Sequence, residues 1–586
     1  MVTDNFSKSS LELNGVVTLT QPTALQWGPD GRLYVTEVDG NVKVLTVAFG
    51  DPNVNDSESV NAFYVTQAET IGLVKNIPNY NDDGSDSSGN ARQVTGISVV
   101  QQYASDGSPV MIFGKPAVSV YVTSSDSRIG GSGDGDDTGL DTNSSTITRL
   151  DQTETGWTAV DIVRGLARSE ENHALNGLEV IQEVDAMGNL ISERLIVANG
   201  GNTNSGAPSN NFAGQQETAY SGAILEVDLD QLKTMDVLTD PETGRQYIYE
   251  IPTLNDPTRP GSPDDNDPFG GNDGLNAGKI DPDGPVQIYS AGYRNSYDVE
   301  VTEDGRVWTY DNGSNNSWGG RPIGEAGDNG ASLDYGQWIG YIATNLNNGD
   351  VNAGDPINLE DWDPKNYDQF HEITRSDDLA GRELSAGPNG ATTYQWQDPD
   401  SGETLTLVYG GHPNPTRASG GQSGLLFTPA DGVSGAFLMV SNIDRDGPDS
   451  SDFDAVIAFL MDVEARYDSV AAGDLTSRVV GVTPGELYYI TEAGNTYLTS
   501  DYPGEPPTIN GETVLGASGL PADFDEVVAS LNPIEGDYLE GGYTDGAVDA
   551  GKGSVNGLTE YTSTILDDPE NGIKMSGAIL AASLNQ

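Results

Sequence analysis

From Leu25 the chain reads LQWGPDGRLYVTEVDGNVKVL. Apolar and polar positions alternate, stop at Pro-Asp-Gly, and alternate again. A period of two is that of a half-buried strand, and the Pro-Asp-Gly stop is a hairpin turn. The same strand, turn and strand return at residues 290–320, SAGYRNSYDVEVTEDGRVWTYDNGSNNSWGG. Between and beyond them the unit recurs. A first copy covers Gln21 to Val47. A second has strands starting at Arg92, Val118 and Ser145, and a third at Leu175, Arg194 and Gly222. The fourth is the 290–320 segment, with PVQIYS ahead of it. A fifth is spread over segments at Leu405, Gly424, Ala436 and Val479. A sixth begins at NGLTEY and reaches GAILAAS near the end.

Six such units arranged radially predict an all-β fold, a six-bladed β-propeller, over a single domain 1–586. The competing arrangement is a string of separate β-sandwiches, but the spacers lack domain-linker composition. One amphipathic helical insertion is expected in SDFDAVIAFLMDVEARYDSV, inside a stretch of about 444–475 that breaks the β pattern. The last unit is cut short at Gln586. Either N-terminal strands complete that blade, or the chain is a stretch of a longer protein; the second is the expectation.

Charge changes the picture. Ninety acidic residues against 27 basic ones leave a net charge of −63. A polyanion would be repelled by that field, so neither nucleic acid nor an anionic membrane surface is expected as a partner. No segment is long and apolar enough to span a bilayer. There is no Cys, hence no disulfide or thiolate metal site, and no signal peptide is visible at the N-terminus. The acidity suits an extracellular or cell-surface, calcium-rich or high-salt setting. Three long acidic loops, 81–90, 131–143 and 262–276, carry Asp, Asn and Gly in the density that offers oxygen ligands to calcium.

The candidate chemistry lies in loops before strands. Of three histidines, His173 sits in RSEENHALNGLEV just ahead of the third unit. A neutral imidazole there can take a proton from a hydroxyl. Arg294 and Asn295 hold the equivalent place on the fourth unit, Arg92 and Gln93 open the second, and GGHPNPTRASGG on the fifth contributes Arg417. Three Arg residues at comparable positions in so acidic a chain suggest an anion site; the bland alternative is that each pairs with a nearby acid. The DNGSNNSWGG loop can turn backbone carbonyls at Gly313 and Ser314 toward one point, a calcium position.

These residues carry a family resemblance. GPDGRLYVTE, RQVTGI, ENHALNGL, YRNSYDVEVTEDGRVWTYDNG and NGLTEY…GAILAAS are similar, in order, to the glucose/sorbosone dehydrogenase family. Its members are soluble sugar dehydrogenases that use pyrroloquinoline quinone (PQQ) on a six-bladed propeller. The resemblance implies His173 as catalytic base and Arg294 with Asn295 against the quinone. It implies the carbonyls of Gly313 and Ser314 on a calcium ion, and Gln93, or its neighbour Arg92, near a cofactor-contacting Gln. The implied reaction is hydride transfer from a sugar or polyol hydroxyl to PQQ, with Ca2+ as Lewis acid. Two departures stand out. Where the family places an Asp that orients the His, this chain has Gly201 or Asn202. The family's Lys of the last unit would fall near the C-terminal SLNQ, and is either missing or further along than this sequence runs. The alternative expectation is a non-catalytic propeller module of a larger secreted, adhesin-like protein, binding glycan or a partner through the same loops.

Overall fold

The computed structural model describes most of residues 11–318 (51–61, 132–137, 205–209 and 253–277 excepted), residues 369–374, and strands between 393 and 583. The described residues are almost entirely strand and turn. Four blades can be followed from the N-terminal side, against the six expected.

Blade one is β1 (Pro22–Trp27), β2 (Leu33–Glu37), β3 (Val42–Gly50) and β4 (Ala62–Ile71). Blade two is β5 (Arg92–Gln101), β6 (Val118–Asp126), β7 (Ser145–Thr153) and β8 (Gly156–Leu166). Blade three is β9 (Leu175–Val184), β10 (Leu190–Asn199), β11 (Ala223–Asp228) and β12 (Val286–Ala291). Blade four begins with β13 (Ser296–Val301), β14 (Val307–Asp311) and β15 (Gln369–Glu372). A short helix, α1 (Leu229–Thr234), follows β11 and is N-capped by Asp228, whose side chain accepts from Gln231 N.

The predicted hairpins are present and share one chemistry. In GPDG, the Gly28 N–H donates to Arg32 O at 2.8 Å, and in TEDG the Thr302 N–H donates to Arg306 O at 2.9 Å. Gly31 and Gly305 sit at φ of +80° and +81°, which a side chain would oppose.

One boundary differs from the expectation. Val286–Ala291 does not lead into the fourth unit; it pairs antiparallel with Ala223–Val227 as the outer strand of blade three. Alternation marks a strand but carries no information on its partner. The fifth unit also divides. Thr404–Val408 pairs with Thr393–Gln397, whereas Gly424–Phe427, Ala436–Val440, Leu487–Ile490 and Thr496–Leu498 form a four-stranded sheet of their own. The sixth unit gives β16 (Val555–Tyr561) and β17 (Ala578–Ser583), an antiparallel pair. The helical insertion at 444–475 and the acidic loop 262–276 lie outside the described residues, as do parts of the other two acidic loops.

Successive blades bury their apolar faces against one another. Tyr34, Val44, Val94 and Val120 fill the space between blades one and two. Tyr121, Leu166, Leu175 and Leu225 lie between two and three, and Ile196, Tyr289, Val299 and Val307 between three and four. Both faces of β6 are covered, so all nine of its residues are buried. This sheet-on-sheet burial is the main stabilising term of the array.

The first strands of the blades line a channel. With β16 they enclose a cavity of about 770 Å³, bordered by Gln26, Gly96, Glu179, Asp298, Glu300 and Leu558. Gly96 lets β5 close on β9: a Cβ there would collide with Asn176 O. Thr123 Oγ1 donates to that same carbonyl at 2.7 Å. The strand β16 is held by side chains of β13: Leu558 N donates to Asp298 Oδ2 at 2.8 Å and Glu560 N to Glu300 Oε1 at 3.0 Å.

Candidate functional site

The loops before β9 and β13 and those after β10 and β14 meet where the inner strands begin. His173 is buried there, 2% exposed. Its Nδ1 lies 2.8 Å from the carbonyl oxygen of Gly201. A carbonyl only accepts, so in the neutral ring Nδ1 carries the proton and Nε2 is the basic nitrogen. The ring packs edge-on to Phe212 at 4.9 Å.

Arg168 fixes the loop that carries His173. Its fully buried guanidinium donates to the carbonyls of Ser169, Glu171 and His173, to Asp126 O at 3.1 Å and to Arg128 O at 2.8 Å. Burial lowers its pKa to about 10, against the opposing charge of Asp126, and it remains a cation at neutral pH. Glu171, 7% exposed, places Oε2 3.9 Å from His173 Nε2. That oxygen has no hydrogen bond among the described residues. Burial pushes the Glu171 carboxyl above its ordinary range, and Arg294 and Arg168 pull the other way.

Arg294 and Asn295 are brought to the same place. Asp311, fully buried at the end of β14, accepts from Arg294 N at 3.1 Å and Asn295 N at 2.7 Å. The Gly201 N–H donates to Arg294 O at 2.7 Å, which ties the Arg294 loop to the residue that orients His173. Arg294 Nε donates to Asn204 Oδ1 at 3.1 Å, and its guanidinium lies 5.9 Å from the ring centres of both Phe212 and Trp318. Asn295 Oδ1 accepts from Asn176 Nδ2 at 2.9 Å. A Cβ at Gly200 would sit 2.8 Å from Asn295 Oδ1 and 2.9 Å from His173 Cβ, so Gly200 separates the two by no more than its own backbone.

Gly313 and Ser314 are buried beside this cluster. Ser314 Oγ donates to Asn204 O at 2.8 Å, and Asn204 Oδ1 also accepts from Asn315 N. Among the described residues no group of three His, Asp, Glu or Cys side chains could hold a metal ion.

Arg92 does not join the cluster. It is 2% exposed, and its guanidinium donates to Asn79 Oδ1, Ser124 Oγ, Ser124 O, Ser144 O and Thr146 Oγ1. Burial lowers its pKa to about 10. It bolts the start of β5 to β6 and β7 and does not face an external anion. Gln93, half-buried, follows it on β5 opposite Ser125. Arg417 lies outside the described residues.

The residues that hold this site went unread in the sequence: Arg168, Glu171, Asn204, Glu217 and Asp311. Glu217 carries the loop after β10, accepting from Asn202 N at 2.8 Å and from Thr203 N and Oγ1 at 3.0 and 2.7 Å. A carboxyl amid turn residues has no sequence signal of its own. The one available hint was the density of acids, in SEENH and QQET, beside the candidate His.

No family model matches the chain, and no curated protein matches it. Solved structures do. The PQQ-bound aldose sugar dehydrogenase from Streptomyces coelicolor matches at 15% identity over 53% of this chain and 66% of its own, with a TM-score of 0.23. The PQQ domain of pyranose dehydrogenase from Coprinopsis cinerea matches at 13% over 51% and 46%, with a TM-score of 0.23. A calcium structure of a Trichoderma reesei Carbohydrate-Active Enzymes Family AA12 protein matches at 10% over 85% and 83%, with a TM-score of 0.27. This chain spans about two thirds or less of the first two. TM-scores of this size carry no site-to-site correspondence, so the functional reading rests on this chain's own residues.

Proposed function

We propose that this site oxidises a hydroxyl of a sugar or polyol, with His173 as general base and a bound quinone of the PQQ type as hydride acceptor. The observation that carries this reading is the bond from His173 Nδ1 to Gly201 O, which leaves Nε2 as the basic nitrogen within the Arg294 cluster. The donor set fits. Arg294, flanked by the rings of Phe212 and Trp318, suits a planar anionic group.

When bound, PQQ supplies the hydride acceptor, and Ca2+ on the carbonyls of Gly313 and Ser314 supplies Lewis acidity. Arg294 and Asn295 hold the acceptor's edge. His173 Nε2 takes the hydroxyl proton. Gly201 O keeps the imidazole from rotating, and Arg168 holds the backbone that carries it. A six-bladed ring, as the repeat pattern of the sequence predicts, and a place outside the cell belong to the same reading. The test is a titration of the calcium-loaded protein with PQQ, read by quinone absorbance, followed by dye reduction with aldoses. Saturable binding and sugar-dependent reduction are expected. No quinone binding at micromolar PQQ would sink the reading.

One observation favours a second reading, a non-catalytic glycan- or partner-binding module. The cluster gathers Glu171, Glu217 and Asp311 around Arg294, and Arg92 is committed inside the fold. That is few cations for a tricarboxylate. Glycan binding without quinone binding is the outcome that selects it.

A further inference from the structure

The departure at Gly201 leaves His173 without a carboxylate on Nδ1, yet the site has not lost its carboxylate. It stands on the other side of the ring. Glu171 is carried two residues before His173 in a loop whose carbonyls at 169, 171 and 173 all converge on Arg168. That clamp fixes the Glu171 and His173 backbones relative to each other. Glu171 Oε2 then lies 3.9 Å from Nε2, buried, with no hydrogen bond among the described residues. A buried carboxyl oxygen with nothing to accept from is costly, and a proton arriving on Nε2 would relieve it.

We propose that Glu171 is the positioning residue of this site: its carboxylate favours the protonated form of His173 and so makes Nε2 a stronger base. The proposal rests on the assignment of His173 as base. In the step, the hydroxyl O–H bond breaks and an N–H bond forms at Nε2; a bound quinone would supply the acceptor for the carbinol hydride. Glu171 takes no part in either bond. It faces the imidazolium that results, at a distance where opposite charges favour each other strongly.

Other charges act on the pair from each neighbouring element. Arg168 lies beneath the loop and Arg294 comes from the turn before β13; burial raises the Glu171 carboxyl, and the Asn172 N–H and these two cations act against it in favour of the carboxylate. Glu170 is turned away, its carboxylate accepting from Thr138 N, Thr138 Oγ1 and Leu140 N. Glu217 and Asp311 are engaged by backbone N–H groups of the 202–203 and 294–295 turns.

The chain has three histidines, so nitrogen NMR of the His-labelled protein without quinone resolves the titration of His173 directly. In the wild type the neutral ring should show the proton on Nδ1. In Glu171→Gln the His173 midpoint should move to lower pH by about one unit, a tenfold loss of proton affinity. Glu171→Asp, whose carboxylate stands one methylene further back, should fall between the two. It also serves if Glu171→Gln does not fold. An unmoved midpoint in a folded variant overturns the proposal. With PQQ and calcium present, the acid limb of kcat/KM should shift with the midpoint while KM holds. Failure of quinone binding would remove the dehydrogenase reading and leave the NMR coupling between Glu171 and His173 standing, so the two failures are distinguishable.

Discussion

His173 Nδ1 and Gly201 O are 2.8 Å apart, and this contact supplies with a backbone carbonyl what the resemblance leads one to expect from a carboxylate. A carbonyl fixes the tautomer as well as an acid does, but adds no full charge. The same Gly201 donates its N–H to Arg294 O. One residue thereby sets the ring of the base and the loop of the cation.

Restoring an acid at that position should therefore harm the protein. A Cβ at Gly201 would lie 2.7 Å from Glu217 Oε1 and 3.1 Å from Arg294 O. Gly201→Asp adds a second carboxylate against Glu217 as well as bulk. A loss of about 1–3 kcal/mol is expected, measured by urea unfolding. A variant as stable as the wild type would show that the turn relaxes freely.

His173→Ala should separate binding from chemistry. The ring lies beside Phe212, and its removal takes away the base while Arg294 keeps its bond to Asn204. Quinone binding should persist, and kcat should fall by about 100- to 10,000-fold. Full activity in this variant would remove His173 from the mechanism.

Arg92 gives a prediction of the opposite kind. Sequence position placed it with Arg294 as an anion contact, but its partners are carbonyls and hydroxyls of blade two and Asn79. Arg92→Met should cost about 3 kcal/mol or more through the acceptors it leaves buried and unmatched. Quinone affinity, measured well below the new melting point, should be unchanged. A stable variant that loses quinone binding would return Arg92 to the site.

The difference between Arg92 and Arg294 shows what was legible. Arg92 opens a strand and Arg294 precedes one, and both were visible as rare cations. Period-two alternation and the GPDG and TEDG turns made the inner strands and their order readable, because those signals are local. The loops before β9 and β13 followed from that order, and with them His173, Arg294 and Asn295. The supporting contacts are not local. Ser314 meets Asn204 across 110 residues of chain, and Arg92 meets Thr146 across 54. No periodicity records such pairs. For the same reason Val286–Ala291 was readable as a strand but not as the outer strand of blade three.

The channel predicts a pH dependence whose sign differs from that of an ordinary acidic protein. Asp298 and Glu300 on β13 face the cavity with Glu179 of β9 and lie beside Glu560 of β16. Burial raises both Asp298 and Glu300 to about 7, opposed by the N–H groups of Leu558 and Glu560. Glu179 is raised as well, by burial first and then by its two acidic neighbours. A carboxyl with a raised pKa binds its proton more tightly folded than unfolded. Its stabilising contribution is complete below the unfolded value of about 4 and is lost as pH rises to about 7. Wild-type protein should therefore lose more melting temperature between pH 5 and pH 8 than Asp298→Asn or Glu300→Gln, in which one titrating group is gone. Equal pH slopes in wild type and variants would mean that the channel carboxyls are solvated and titrate in the ordinary range.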